Sequence, residues 1–278
     1  MPRARRAPYP RAMTLALTPI GDLVRSWREQ RRLSQLELAL EADVSQRHLS
    51  FIESGRAAPS REMVLQLADT LEVPLRERNA MLLAAGFAPV FGDRPLDDPA
   101  LAPALATLER LLRAQEPFPA LTLDGRWNLV AANAGVAPLL SAVDPELLKP
   151  PLNVMRVSLH PRGLAPLILN LRQWREHLLD RLKRQVRITR DPALARLLAE
   201  VSSYPADFAG PKERPAASDD IAVPFRLRTQ RGVLNLLSTV TVFGTALDVG
   251  LAEISLEAFY PLDEATAAAL RDMTARPS

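Results

Sequence analysis

Apolar residues recur at helical spacing through the first third of the chain. Ile20, Leu23, Val24 and Trp27 form one stripe, and Leu36, Ala39 and Leu40 a second. Leu49 and Ile52 form a third, and Met63, Val64, Leu67, Ala68 and Leu71 a fourth. Recurrence at three and four residues is the mark of helices that bury one face. The residues between the stripes punctuate them. Thr18 as cap with Pro19 in the first turn opens the first helix, which ends at Leu33. Ser34 with Glu37 three residues on has the spacing of a capping box. Ser45 and Ser60 cap the third and fourth helices, Gly55 stops the third, and Val73-Pro74 breaks the fourth. A fifth runs from about Leu75 to Ala85 and closes at Gly86. The pattern therefore predicts five helices between residues 18 and 86. Asp43 breaks the second helix ahead of Ser45.

The pattern changes after that. Residues 87–103, FAPVFGDRPLDDPALAP, read as a linker that packs in part through Phe87 and Phe91. From 104 to 275 the periods mix. Leu105, Leu108, Leu111 and Leu112 mark a helix ended by Pro117 and Pro119. Ala120 to Leu123 and Trp127 to Ala132 read as strands joined at Asp124-Gly125. Asn133 is expected to cap a helix holding Val136, Leu139 and Leu140. Residues 163–185 read as a helix with Leu171, Trp174, Leu178 and Leu182 on one face. Asp191-Pro192 opens another through Val201, and residues 205–219 form a loop. Three strands follow, at 221–228, 233–243 and 251–260, with turns at Arg231-Gly232 and Asp248-Val249-Gly250. Both faces of the middle strand are largely apolar, so one packs on helices and the other faces a cavity or partner. Asp263 caps a last helix, 264–273. The expected fold is an all-α N-terminal domain followed by an α+β domain with a five-stranded antiparallel sheet.

Composition narrows the chemistry. With 278 residues and 47% hydrophobic content, two domains with packed cores are expected. No cysteine is present, so no disulfide framework, thiolate metal site or cysteine nucleophile is possible. No apolar run has the length of a membrane span or of a signal peptide, and the expected compartment is the cytoplasm. The formal net charge is +3, unevenly distributed. Residues 1–17 carry Arg3, Arg5, Arg6 and Arg11 with no acid. Residues 18–86 carry nine Arg against ten acids, a net −1. If the partner is a nucleic acid, its binding must rest on a local face plus the N-terminal arm, which could lie on phosphates or in the minor groove. The alternative is a tail that precedes a true start at Met13.

Two short helices with a tight turn, a small Ala39 at their crossing and long polar side chains at the start of the second make a helix-turn-helix. The stretch resembles the XRE family of phage-repressor-like regulators. The resemblance rests on Ser34-Gln35, Leu38-Ala39, Val44-Ser45, Leu49, Ile52-Glu53 and Gly55-Arg56, with Asp43 where the family usually has Gly; it implies a left-handed backbone there, which Asp tolerates better than most residues. Base edges in the major groove need donors and acceptors at the start of the second helix, hence Gln46 and Arg47. The family pattern adds Ser50 and Phe51, the latter able to touch a thymine methyl or to pack. Phosphate contacts are expected from Gln35, Ser45, Ser54, Arg56 and Arg61. Glu53 is expected to pair with Arg28 or Arg31 and not to face DNA. The run from Arg172 to Arg190 reads as a solvated helical face with internal ion pairs.

The second half resembles a PAS-like sensor, and more closely the MmyB-like regulators. The resemblance rests on Pro119-Ala120 with Asp124, on the strand ending in Ala131-Ala132-Asn133, on the 153–161 stretch and on Trp174. The final hairpin turn, Thr229-Gln230-Arg231-Gly232, lacks the His-Pro-x-x-Gly of that family. The resemblance implies a ligand-binding domain for a small, apolar, fatty-acid-like molecule. Val130, Leu159, Trp174, Leu236 and Val240 are the candidate lining residues. No cofactor, metal or catalytic residue is expected: there is no HExxH, nucleophile triad or Gly-rich phosphate loop. The expected protein is a homodimeric transcription regulator, with arm 1–17, helix-turn-helix 18–86, linker 87–103 and ligand-binding domain 104–275. The alternative makes the second domain a dimerisation or protein-partner module without ligand.

Overall fold

The computed structural model describes residues 18–205 and 222–275. The basic arm and most of the loop expected at 205–219 lie outside them. The chain forms two compact units that divide between Phe91 and Gly92.

The first unit is helical: α1 (Ile20–Gln30), α2 (Gln35–Glu41), α3 (Gln46–Glu53), α4 (Arg61–Thr70) and α5 (Leu75–Ala84). Ser34 makes the full capping box, its Oγ accepting from the Glu37 amide at 3.2 Å while Glu37 accepts from the Ser34 amide at 2.6 Å. Ser45 and Ser60 cap α3 and α4 through the amides of His48 and Met63. Thr18 does not cap α1; Pro19 holds that position, with no side-chain bond. Asp43 takes the left-handed conformation at φ 49°. The stripe expected on α2 is displaced. Ala39 is buried as expected, but Leu36 and Leu40 are exposed, and Leu38 and Ala42 are buried in their place. A helix of two turns is oriented by its neighbours, and the residues that meet α3 win the core. Val24, Trp27, Leu49, Ile52, Val64, Leu67 and Leu82 complete that core. At Gly21 the α1 backbone lies so close to α3 that an added Cβ would strike the Ile52 carbonyl oxygen.

The second unit holds α6 (Ala102–Ala114), β1 (Ala120–Leu123), β2 (Leu129–Ala132), α7 (Val154–Leu159), α8 (Leu171–Thr189) and α9 (Pro192–Ser202). Then come β3 (Phe225–Thr229), β4 (Gly232–Val242), α10 (Val249–Ala252), β5 (Ser255–Pro261) and α11 (Glu264–Thr274). The five strands form one antiparallel sheet in the order β2-β1-β5-β4-β3. Alternation sorts the faces. Ala120, Leu256 and Ala258 pack under Leu108 and Leu112 of α6. Leu123, Leu234 and Leu236 face the larger core built with Trp174, Leu178 and Leu182 of α8 and Leu194 and Leu197 of α9.

Four expectations fail here for local reasons. The last strand starts at Ser255, because Asp248 accepts the amides of Gly250 and Leu251 and winds α10 where a turn and strand were expected. The long helix begins at Leu171, after a 3-10 turn at Ala165–Leu167, and not at residue 163. Asn133 caps no helix. It is buried and ties the β1–β2 end together, accepting from the Ala120 amide and donating to Leu112 and Phe118 carbonyls. The residues after it form only a 3-10 turn at Ala137–Leu140. Residues 99–101, expected as linker, form a 3-10 turn in the second unit.

Candidate nucleic-acid interface and ligand cavity

On α3, burial of Leu49, Ile52 and Glu53 turns the opposite side outward. Gln46 and Arg47 are exposed in its first turn, with Ser50 and Phe51 half-buried behind them. Ser45 Oγ accepts from the His48 amide at 3.1 Å. The Phe51 ring carries two guanidinium groups, Arg47 at 5.3 Å and Arg56 at 4.5 Å from its centroid. Arg56 Nε also donates to Ser54 Oγ at 2.8 Å, which in turn donates to the Ser50 carbonyl at 2.7 Å. So Arg47, Ser50, Phe51, Ser54 and Arg56 form one connected surface, with Phe51 as the platform on which the guanidinium groups rest. Arg61 is exposed in the first turn of α4.

Gln35 is not free to turn to a phosphate with its amide, because Nε2 donates to Glu53 at 2.8 Å. Glu53 is the hub of this region, its side chain fully buried. Arg28 grips it with Nε at 2.6 Å and Nη2 at 2.9 Å, and Arg25 lies at 3.5 Å. Arg31, the other candidate partner, bonds instead to the Leu71 and Glu72 carbonyls. Burial pushes the Glu53 carboxyl up, but the hydrogen bonds from Arg28 and Gln35 and the two positive charges hold it below its usual value.

The second unit encloses a narrow cavity of about 80 Å³ between the sheet, α7 and α8. Its walls are apolar and aromatic: Leu121, Trp127, Leu129, Met155, Trp174, Leu178, Phe225 and Phe259 are among them. Trp174 packs tilted against Phe225 at 4.8 Å between centroids, and Phe225 tilted against Phe259 at 5.8 Å. Among the described residues, Ser158 and Glu257 add polar groups to the wall beside the indole N–H of the two Trp. The volume is well below the roughly 300 Å³ of an ordinary small-molecule site. A wider groove of about 380 Å³ adjoins Trp127, with Leu123, Arg181, Arg184, Ile188 and Val240 in its walls.

Of the five residues expected to line a pocket, Trp174 lines the cavity and Val240 the groove. Leu159 and Leu236 are buried in the surrounding core. Val130 alternates with the lining residue Leu129 and is not among the lining residues. Trp127, Ser158 and Glu257 were missed. Trp127 sits at φ 66°, a conformation costly for a bulky residue, between cavity and groove. Its ring carries Arg181 at 4.7 Å, and its Nε1 donates to Gln185 at 2.6 Å. Glu257 had a visible signal: a lone acid in the apolar strand Leu256–Tyr260. Ser158 had none. Among the described residues no group of acids and histidines could hold a metal, and no helix is long and apolar enough to cross a membrane.

A helix-turn-helix family model matches residues 24–78, spanning the capped pair α2–α3. A second model, the MmyB-like transcription regulator ligand binding domain, matches residues 105–273 and so takes in the whole cavity. No curated protein matches the chain. With more than half its length covered by that second model, the chain belongs to the MmyB-like transcription regulators, a DNA-binding helix-turn-helix joined to a ligand-binding domain.

Proposed function

We propose that this protein is a cytosolic, homodimeric regulator that reads a specific operator through α3 and senses a small, apolar, fatty-acid-like ligand in the second unit. Gln46 and Arg47 read base edges. Ser45, Ser54, Arg56, Arg61 and the backbone at Gln35 meet phosphates. The ligand changes DNA affinity to the extent that it binds two states of the chain differently, and by nothing more. The observation that carries this reading is the cavity: almost wholly apolar, aromatic-walled, and inside the domain that the family uses for ligands.

Two measurements test it. Fluorescence anisotropy on promoter fragments should find one preferred sequence, and Arg47→Ala should weaken it by about 1–3 kcal/mol with relaxed base preference. Absence of any preferred sequence would sink the regulator reading. Mass spectrometry of an organic extract of the purified full chain should find a stoichiometric apolar compound.

A second reading has its own observation. β3 pairs with β4 only from Gly232 to Leu236, whereas β5 pairs with it from Leu236 to Val242. Among the described residues, the second half of β4 therefore has one edge without a strand. Val240 and Val242 are exposed there. Such an edge accepts a strand from a partner, which favours an interaction module in which no ligand is held.

A further inference from the structure

The edge of a sheet presents unpaired N–H and C=O groups that invite pairing with another chain, and folded proteins cover or guard it. Both outer strands of this sheet are covered. Along β2, Leu129 donates to the Leu152 carbonyl, Val154 donates to the Trp127 carbonyl, and Asn128 bridges Asn153. Along β3, Leu169 donates to the Arg226 carbonyl, Ile168 bridges Leu227, and the Asn170 side chain bonds the Pro224 carbonyl and the Arg226 amide. The stretch of β4 beyond Leu236 is different. There β4 outruns β3, while β5 accompanies it to Val242. The Asn235 carbonyl accepts from the Leu262 amide on the β5 side. Alternation then aims the N–H and C=O of Ser238, Val240 and Val242 at the side that has no strand among the described residues.

Composition says what fits there. From Gly232 to Val242 the strand carries no charge and no proline, the usual guards of an exposed edge. Thr239, Val240, Thr241 and Val242 are all exposed. The stretch is also symmetric about Val240. An antiparallel copy that uses all of Ser238 to Val242, and leaves β3 in place, sets Val240 opposite its own mate. Thr239 then meets Thr241, and Ser238 meets Val242. Thr meets Thr, Val meets Val, and no like charges oppose each other. A contact that matches itself in this way is what a two-fold dimer needs.

We infer that a second copy of this chain lays its β4 along this edge, Val240 against Val240 about a two-fold axis, so that two five-stranded sheets continue as one. The inference names the interface of the homodimer proposed above and rests on that reading. Val240 also walls the groove beside Trp127, so the junction lies next to that groove.

The chain has no cysteine, so Val240→Cys gives the full chain a single thiol. Opposed residues of a hydrogen-bonded antiparallel pair lie about 5.5 Å apart. A short bismaleimide should therefore join two copies of Val240→Cys. In Ser238→Cys and in Val242→Cys each thiol stands about 13 Å along the strand from its own mate, and cross-linking should be much slower. Val240→Lys sets two ammonium groups face to face on the axis, and light scattering should find a monomer where the wild-type chain is a dimer. A wild-type dimer that Val240→Lys leaves intact overturns the inference and leaves the homodimer reading standing. So does a dimer that cross-links no faster at residue 240 than at 238 or 242. A monomeric wild-type chain overturns both and leaves the edge to a different protein.

Discussion

Glu53 carries its charge inside the helical unit, where Arg28, Arg25 and Gln35 gather around it. Removing one side of such a buried pair leaves the other without compensation. Glu53→Ala should therefore cost about 3 kcal/mol of stability in chemical denaturation. Gly21 is a second sensitive residue. Gly21→Ala drives a methyl into the Ile52 carbonyl oxygen and should lower stability by about 1–3 kcal/mol, while Asp22→Ala, on the exposed side of α1, should change it little. In the second unit, burial pushes the His177 imidazole below its usual value, and Arg181 adds to the shift against Glu257 and Asp180. His160 is shifted the same way, by burial and by Arg162. The folded chain thus binds these protons less well than the unfolded chain. Their contribution is complete above the unfolded value of about 6.5 and is lost as pH falls through the lower folded value. The thermal midpoint should drop from about pH 7.5 to about pH 5.5, and His177→Gln with His160→Gln should flatten that drop. An unchanged drop in the double variant would assign it to other groups.

At the level of elements, α3 owes the surface proposed to read DNA to a division within eight residues. Leu49 and Ile52 anchor it, and Phe51 stays half out to carry Arg47 and Arg56. Phe51→Leu keeps an apolar contact and removes the platform. It should weaken operator binding by about 1 kcal/mol while the melting midpoint holds, because cation–π contacts at exposed sites are worth about that much. Equal losses of binding and of stability would instead make Phe51 a core residue. The helices of this unit were legible because caps and turns act over three or four residues. The 3-10 turns and α10 were not, because their windings depend on single side chains such as Asp248 reaching back to nearby amides.

For the molecule as a whole, one α3 presents too few groups to select a site in a genome. In the homodimer proposed above, two copies read half-sites about 34 Å apart, one helical turn, and so supply the rest. Inserting half a turn of DNA between the half-sites should abolish tight binding in gel-shift assays, while a full turn restores part of it. A steep fall of affinity with salt should accompany binding, since phosphates provide most of its energy. Binding that is indifferent to spacing would point to a monomer on DNA.

What the residues determined alone were the serine-capped helices, the helix-turn-helix and the presence of five strands, because these depend on neighbours close in the chain. The pairing of Glu53 was half legible: an acid in that helix needs a cation, but only packing chose Arg28 over Arg31. Which apolar residues are core and which are wall was decided by the tertiary structure. Leu36 and Leu40 face solvent because α2 is turned by its contact with α3. Leu159 and Leu236 fill space that Trp127, Ser158 and Glu257 border. A cavity is defined by residues far apart in the chain, brought together by strand register and helix docking, and local periodicity carries no record of where they meet.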